Sequence, residues 1–235
     1  MGGTKMIDTN ACVRDFAVKH PMTLRVFEKY GVDYCCGGGD TLAKAAIEKG
    51  VDLDALFGDL RDAISQPAAA EGPERDWTGA PLAELADYIV ARHHTFVKTE
   101  VPRLDLYVQA VVQAHGPRHG DVLQPLQRNF QTLKTEVEAH LASEEDTGFP
   151  GIKRLNGSPA GEELAAWIRQ TVSEHEALGA LLDDTRKLTS NYALPADACP
   201  TFTGLYAGLQ AVEKDLHRHI HLENNLLFPQ ALEGR

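Results

Sequence analysis

Cysteine is scarce in this 235-residue chain, with only Cys12, Cys35, Cys36 and Cys199. Four thiols so placed do not form a disulfide framework, because a Cys35–Cys36 bond would close a strained ring across one peptide unit. Long apolar runs are also lacking. None approaches the ~20 residues needed to span a bilayer, and "MGGTKMIDTNACVRDF" at the start has no apolar core of the signal-peptide kind. Basic excess is missing too: the formal net charge is −11, which argues against nucleic acid and anionic membrane as partners. A cytoplasmic location with reduced thiols is the expectation. No serine or cysteine triad signature occurs, and "CCGGGD" lacks the Gly-Lys-Ser/Thr ending of a phosphate loop. Strand signals are absent as well, so the expected fold class is all-α.

What is present is helix. Short amphipathic patterns ("ACVRDFAVKH", "TLRVFEKYG", "TLAKAAIEKG", "LDALFGDLRDAI") fill residues 1–65, with Gly31 and Gly50 at helix ends and Pro21 opening a helix. Residues 66–76, "QPAAAEGPERD", are rich in Pro, Ala and charge without an apolar face and read as a linker. Residues 77–235 carry four long segments of helical apolar spacing, which predict an antiparallel four-helix bundle.

Nine of the ten histidines lie after residue 90. "HLASEEDTGFP" (residues 140–150) and "HIHLENNLLFP" (residues 219–229) share the pattern His-x-x-x-Glu-x-x-x-x-Phe-Pro, 79 residues apart. His94 precedes His140 by 46 residues and His175 precedes His219 by 44, so the bundle consists of two repeats of one pattern. Residues at i and i+4 differ by about 40° around a helix, which puts His140 with Glu144, and His219 with Glu223, on single faces. Two such faces plus His94 and His175 bring four imidazoles and two carboxylates into one cross-section. Such a set can hold two metal ions, each with two histidines, the carboxylates and an oxide or hydroxide bridging them. Imidazole and carboxylate without thiolate suit iron, with manganese and zinc as alternatives. A lone His, or a single His-x-x-x-Glu pair, is ordinarily a surface or core feature; two copies in register carry the metal reading.

The other histidines are weaker candidates. His115 lies 21 residues after His94, about 31 Å along a continuous helix, so it joins the same centre only if the chain bends between them, and the question stays open. His217 and His221 flank His219 and are expected to face solvent. His93 is not expected to ligate, and His20 and His119 are uninformative. Cys12 and Cys199 read as structural. At Cys35 and Cys36 two readings compete: one buried and one incidental thiol, or a reactive or metal-binding pair favoured as thiolate by N–H groups of the glycine loop. Asp40 or Thr41 caps the helix beyond that loop.

With these residues in hand the chain resembles the RIC (Repair of Iron Centres) proteins, a small N-terminal domain joined to a hemerythrin-like bundle. The resemblance spans nearly the full length and rests on "YGVDYCCGGGDTLAKAA", "DWTGAPLAELADYIVARHH", "EAHLASEED", "SEHEALG" and "HIHLENNLLFP". It implies two iron ions with a bridging oxide or hydroxide, held by His94, His140, Glu144, His175, His219 and Glu223, the glutamates bridging. It further implies repair of iron–sulfur clusters damaged by nitrosative or oxidative stress through iron donation. Damaged iron–sulfur proteins would be the partners, nitric oxide or O2 the small ligands, and a homodimer is compatible. Cys35 and Cys36 become candidates for a catalytic relay. The competing functions are a di-iron nitric oxide reductase and an O2 or NO sensor. One departure from the family pattern is Gly148, where a bulky apolar residue is usual; a looser helix end after Glu144 is the expectation.

Overall fold

A computed structural model describes residues 7–36, 38–65 and 75–234. Most of the expected linker, residues 66–74, lies outside the described residues, as does Gly37 of the glycine loop. The described residues are helical, with no strand beyond an isolated bridge between Cys12 and Thr41. The chain groups into two compact units: residues up to Ala80 together with Ile220–Pro229, and Pro81–His219 together with Gln230–Arg235.

The first unit contains α1 (Val13–Lys19), α2 (Leu24–Tyr30), α3 (Leu42–Glu48) and α4 (Leu53–Ser65). Pro21 opens a short turn before α2, and Gly31 ends α2 in the left-handed conformation at φ +65°, which a glycine adopts without strain. Thr41 is the cap of α3: its Oγ1 accepts the Lys44 N–H at 3.2 Å. The core of this unit is Val13, Phe16, Phe27, Tyr34, Leu42, Leu56 and Leu60, and Ile220 packs into the same cluster.

The second unit contains α5 (Leu82–Ile89), α6 (Thr95–Ser143), α7 (Phe149–Lys153), α8 (Glu162–Leu188) and most of α9 (Pro200–Leu222) and α10 (Phe228–Glu233), these last two straddling the two groups. Helix α6 is broken at His119 (φ −124°, ψ 25°). There, between Gly116 and Gly120, the chain reverses into two antiparallel arms. Asp105 on the first arm accepts from Lys134 at 2.8 Å and Gln131 at 2.6 Å on the second. The two arms with α8 and α9 are the four long helices of the bundle. Its apolar stripe recurs at three- and four-residue steps: Val97, Val101, Leu104, Val108 on one arm; Leu126, Phe130, Leu133, Val137 on the other; Leu178 and Leu182; Leu205, Leu209, Val212, Leu216. Each such buried side chain contributes about 1.5–3 kcal/mol.

Three wide π-helical turns interrupt the regular helices: Val90–His94, Glu144–Gly148 and Glu223–Leu227. The last two are the equivalent positions of the repeat. Gly148 does not loosen its turn. A β-carbon there would lie 1.9 Å from the Trp167 ring, whose indole fills the space and donates to Ser143 Oγ at 3.1 Å. The missing side chain on one helix is supplied by the indole from α8. Gly148→Ala should therefore destabilise the protein by about 1–3 kcal/mol through overpacking, read as a shift of the urea midpoint. Trp167→Leu in the same chain should recover part of that loss, a coupling that independent effects would not give.

Candidate metal centre

The apolar stripes predict where the polar side chains go. His140 follows Val137 by three residues, His175 precedes Leu178 by three, His219 follows Leu216 by three, and His94 precedes Val97 by three. The four imidazoles thus continue core positions of the bundle, and with Glu144 and Glu223 all are buried. The six cluster as two overlapping sets, His94–Glu144–His219–Glu223 and His140–Glu144–His175–Glu223, with donor atoms in each set within 4.8 Å of one another. Both glutamates belong to both sets. Each histidine pair takes one member from each half of the repeat, so the halves interlock rather than each holding a site of its own.

Glu144 lies between the pairs. Its Oε1 faces His140 Nε2 at 3.2 Å and His175 Nε2 at 3.8 Å; its Oε2 faces His94 Nε2 at 3.3 Å and His219 Nε2 at 3.8 Å. The paired nitrogens are close, 3.3 Å for His94–His219 and 3.0 Å for His140–His175. Metal bonds of about 2.0–2.2 Å place two donors of one ion at such separations.

Tautomers give the test of fit. His94 Nδ1 lies 2.7 Å from Glu145 Oε1, and His140 Nδ1 lies 3.1 Å from Glu174 Oε2. A carboxylate can only accept, so these Nδ1 atoms carry the proton, and in the neutral ring Nε2 presents a lone pair inward. Neither oxygen of the buried Glu144 carboxylate has a hydrogen-bond partner. Lone pairs of imidazole and carboxylate converging in a buried space are repulsive, and a buried charge without compensation is costly. Cations there remove both penalties, so the donor set fits metal ions. Burial by itself would raise the Glu144 carboxyl; positive charge on the facing imidazoles, His140 foremost, acts the other way and would hold it well below the usual carboxylate range. Burial likewise opposes ionisation of Glu145, while Lys98, 2.7 Å away, and His94 keep it low.

Several supporting side chains carried no signal in the helical repeat. Glu145 and Glu174 each neighbour a member of the cluster and aim its imidazole. His93 is buried outside the sets, its ring stacked on His219 (centroids 5.8 Å apart, 12° between planes) and its Nδ1 3.1 Å from Asp215. Phe149, of the Phe-Pro ending, stacks on His94 at 5.5 Å.

Other expectations require correction. His221 does not face solvent: it is buried, its ring 5.4 Å from Tyr34 and its Nδ1 2.8 Å from Asn225 Nδ2. Desolvation pushes it down to about 4. Its face of the helix belongs to the first compact unit, which helical periodicity within one segment does not reveal. His217 is half-buried. His115 is in neither of the two sets; it meets His119 and Asp197 instead.

Cys35 and Cys36 are not joined in a disulfide, and their sulfurs lie 3.6 Å apart. The N–H groups of both residues donate to Asp33 Oδ1, at 2.9 and 3.0 Å, and so are not available to a thiolate. Cys35 is buried, and the adjoining Cys36 sulfur, desolvation and the Asp33 carboxylate push its thiol well above the ordinary value. The expected thiolate at Cys35 is therefore not what this loop favours. The carbonyls of Tyr34 and Cys35 accept from Asn225 and Asn224, at 3.0 and 3.3 Å, residues adjoining Glu223.

Comparisons with known proteins agree with this architecture. Residues 9–64 match a domain described as of unknown function (DUF542), and residues 85–231 match the hemerythrin HHE cation binding domain. Proteins named iron-sulfur cluster repair protein YtfE, from Escherichia coli O81 (strain ED1a) and Escherichia fergusonii, are each 37% identical over 220 residues, covering 94% of this chain and 96% of theirs. The chain belongs to this family of iron–sulfur cluster repair proteins with a hemerythrin-like bundle. Among the described residues no helix is long and apolar enough to cross a membrane.

Removing an aiming carboxylate should loosen the centre without dismantling it. Glu145→Gln and Glu174→Gln should each lower iron affinity about 10–100-fold, measured by equilibrium dialysis, with helical content by circular dichroism unchanged.

Proposed function

We propose that the protein repairs iron–sulfur clusters damaged by nitrosative or oxidative stress by donating iron held in the bundle. The observation that carries the reading is the Glu144 carboxylate, fully buried, each oxygen facing its own pair of imidazoles with no hydrogen-bond donor. The relatives' names give the class of client: proteins whose iron–sulfur clusters need repair. In this reading His94 and His219 hold one iron and His140 and His175 the other, with Glu144, Glu223 and an oxide or hydroxide between them. When bound, the pair supplies transferable iron and a site where nitric oxide or O2 can bind.

The chain's own residues do the rest. Glu145 and Glu174 keep the inward nitrogens of His94 and His140 deprotonated, and Phe149, stacked on His94, covers that ring. The absence of thiolate from the donor set favours release: iron is held by borderline and hard donors and passes to the soft sulfide and cysteine donors of a damaged cluster. Residues 77–235 act as the carrier. The domain of residues 1–65 contributes Cys35 and Cys36 as a relay for iron or nitrosyl groups, which requires the loop to open, because Cys35 is buried as a thiol. Such traffic with cytoplasmic enzymes needs no membrane.

The test is repair of a nitrosylated [4Fe–4S] enzyme by iron-loaded protein. About two irons per chain are expected, with iron lost nearly in step with clusters restored. His140→Ala and Glu144→Ala should bind less than half that iron and repair at least about tenfold more slowly. Repair at the wild-type rate by these iron-depleted variants would overturn the reading. Nitrous oxide formed over many turnovers without iron loss would replace it with the reductase. Cys35→Ser/Cys36→Ser should slow repair while leaving iron content unchanged, and an unchanged rate removes the relay.

A further inference from the structure

The far end of the bundle gathers a second set of metal-ligating side chains that the repair reading does not use. His115 lies on the first arm of α6, 21 residues beyond His94 and thus about 31 Å from it along the helix. His119 is the residue at which the chain reverses. The loop ahead of α9 brings Asp197 against them, and donor atoms of His115, His119 and Asp197 all lie within 4.8 Å of one another. His119 Nε2 is 2.8 Å from Asp197 Oδ1, while Arg118 takes the other oxygen at 3.1 Å. The guanidinium thereby orients the carboxylate and leaves Oδ1 toward the imidazoles.

A thiol adjoins this set. Cys199, two residues after Asp197, has its sulfur accepting the Phe202 N–H at 3.5 Å, which together with His115 draws the thiol down to about 7, though the sulfur lies outside the 4.8 Å set. Phe202 forms the apolar wall, its ring 5.2 Å from His115 and 6.3 Å from His119. The opposite side is open, since the side chains of His119 and Asp197 keep 28% and 37% of their exposure, which gives an ion an entry path and room for water. The donors converge from two separate stretches, a reversal and an interhelical loop, that no helical repeat forces together.

We propose that His115, His119 and Asp197 form a second, mononuclear site for a divalent transition ion of the zinc class, with the adjoining Cys199 moving in as the fourth ligand, clipping the 115–119 reversal to the loop that leads into α9. The donor chemistry is distinct from that of the first centre. Two imidazoles, one carboxylate and a thiolate are a four-coordinate zinc set, whereas the first centre has no sulfur and more than one carboxylate. Tetrahedral bonds of about 2.0–2.3 Å separate donor atoms by about 3.3–3.7 Å. The 2.8 Å His119–Asp197 contact therefore opens by several tenths of an ångström on binding, which half-exposed side chains can follow. The alternative is an ordinary ion pair in which protonated His119 and Arg118 share Asp197.

Cobalt(II), which mimics zinc and reports its ligands by absorption, separates the two. Full-length protein with its first centre already filled with iron is titrated with Co2+. About one Co2+ per chain beyond the iron is expected, with the intense visible bands of four-coordinate cobalt, a near-ultraviolet thiolate-to-cobalt band, and displacement by Zn2+. Asp197→Asn and His119→Gln should each weaken binding at least about tenfold with iron content unchanged. Cys199→Ser should abolish the thiolate band. Zn2+ should raise the Tm of the parent protein and not of Asp197→Asn. Absence of cobalt binding beyond the iron, or binding that Asp197→Asn and His119→Gln leave unaltered, overturns the site in favour of the ion pair. A thiolate band that persists in Cys199→Ser overturns the assignment of its sulfur ligand. Asp197 lies on an exposed loop, so its variant keeps the test decisive should the change at the His119 reversal disturb folding.

Discussion

The structure depends on one unfavourable arrangement made tolerable: carboxylates sealed in a cage of imidazoles. A carboxylate taken out of water costs several kcal/mol unless charge and donors replace its hydration. Around Glu144 the replacement is four ring nitrogens, two of which are committed to lone pairs by Glu145 and Glu174. The cage is therefore stable as a protein fold only with positive charge inside, whether protons or metal ions. Ion binding and folding free energy are then linked, and withdrawing ions at a pH where protons do not replace them would load strain onto the same helices. That strain is resisted by the apolar stripe below, where valines, leucines and a phenylalanine repeat at the steps that the histidines continue. The core holds the ligands by sharing their register.

Duplication explains why the cage is nearly symmetric and why it is not divisible. A half with one lone His and one His-x-x-x-Glu would have too few donors to enclose an ion. Interlocking gives each donor set one imidazole from either half and puts both glutamates in both sets. The wide turns at Glu144–Gly148 and Glu223–Leu227 are the backbone consequence. An extra residue in the turn rotates the downstream chain, so that the glutamate keeps its core-facing position while the Phe-Pro segment turns over the cluster. Such turns are sparsely used in helices and concentrate at functional sites. Here they begin at the two residues that belong to both sets.

Much of this was legible from spacing, and the reasons for the exceptions are physical. Helix periodicity locates a side chain on the face of its own element. It gave the bundle and the convergence of His140 and Glu144 with His219 and Glu223. It could not give the burial of His221, which depends on Tyr34, far earlier in the chain. Nor could it give the match between Gly148 and Trp167, where the missing volume and the ring that fills it sit on different helices. The thiol pair misled for a related reason. A glycine loop was expected to point its N–H groups at sulfur, but Asp33, two residues before Cys35, accepts them first. Local side-chain acceptors regularly win such competitions, because closing a two- or three-residue loop costs little entropy.

The Cys35–Cys36 loop and the Glu223 turn belong to one hydrogen-bonded assembly, which bears on how thiol chemistry and metal chemistry communicate. Asn224 and Asn225 donate to the carbonyls of Cys35 and Tyr34, and His221 packs on the Tyr34 ring. Modification of the thiols, whether by a nitrosyl group, a metal ion or oxidation, would add volume beside the buried Cys35 sulfur. The loop must move, and the two asparagine bonds either break or carry the turn that presents Glu223 along with it. Glu223 opens that turn and belongs to both donor sets, so a change at the thiols has a backbone route to a side chain that both sets share.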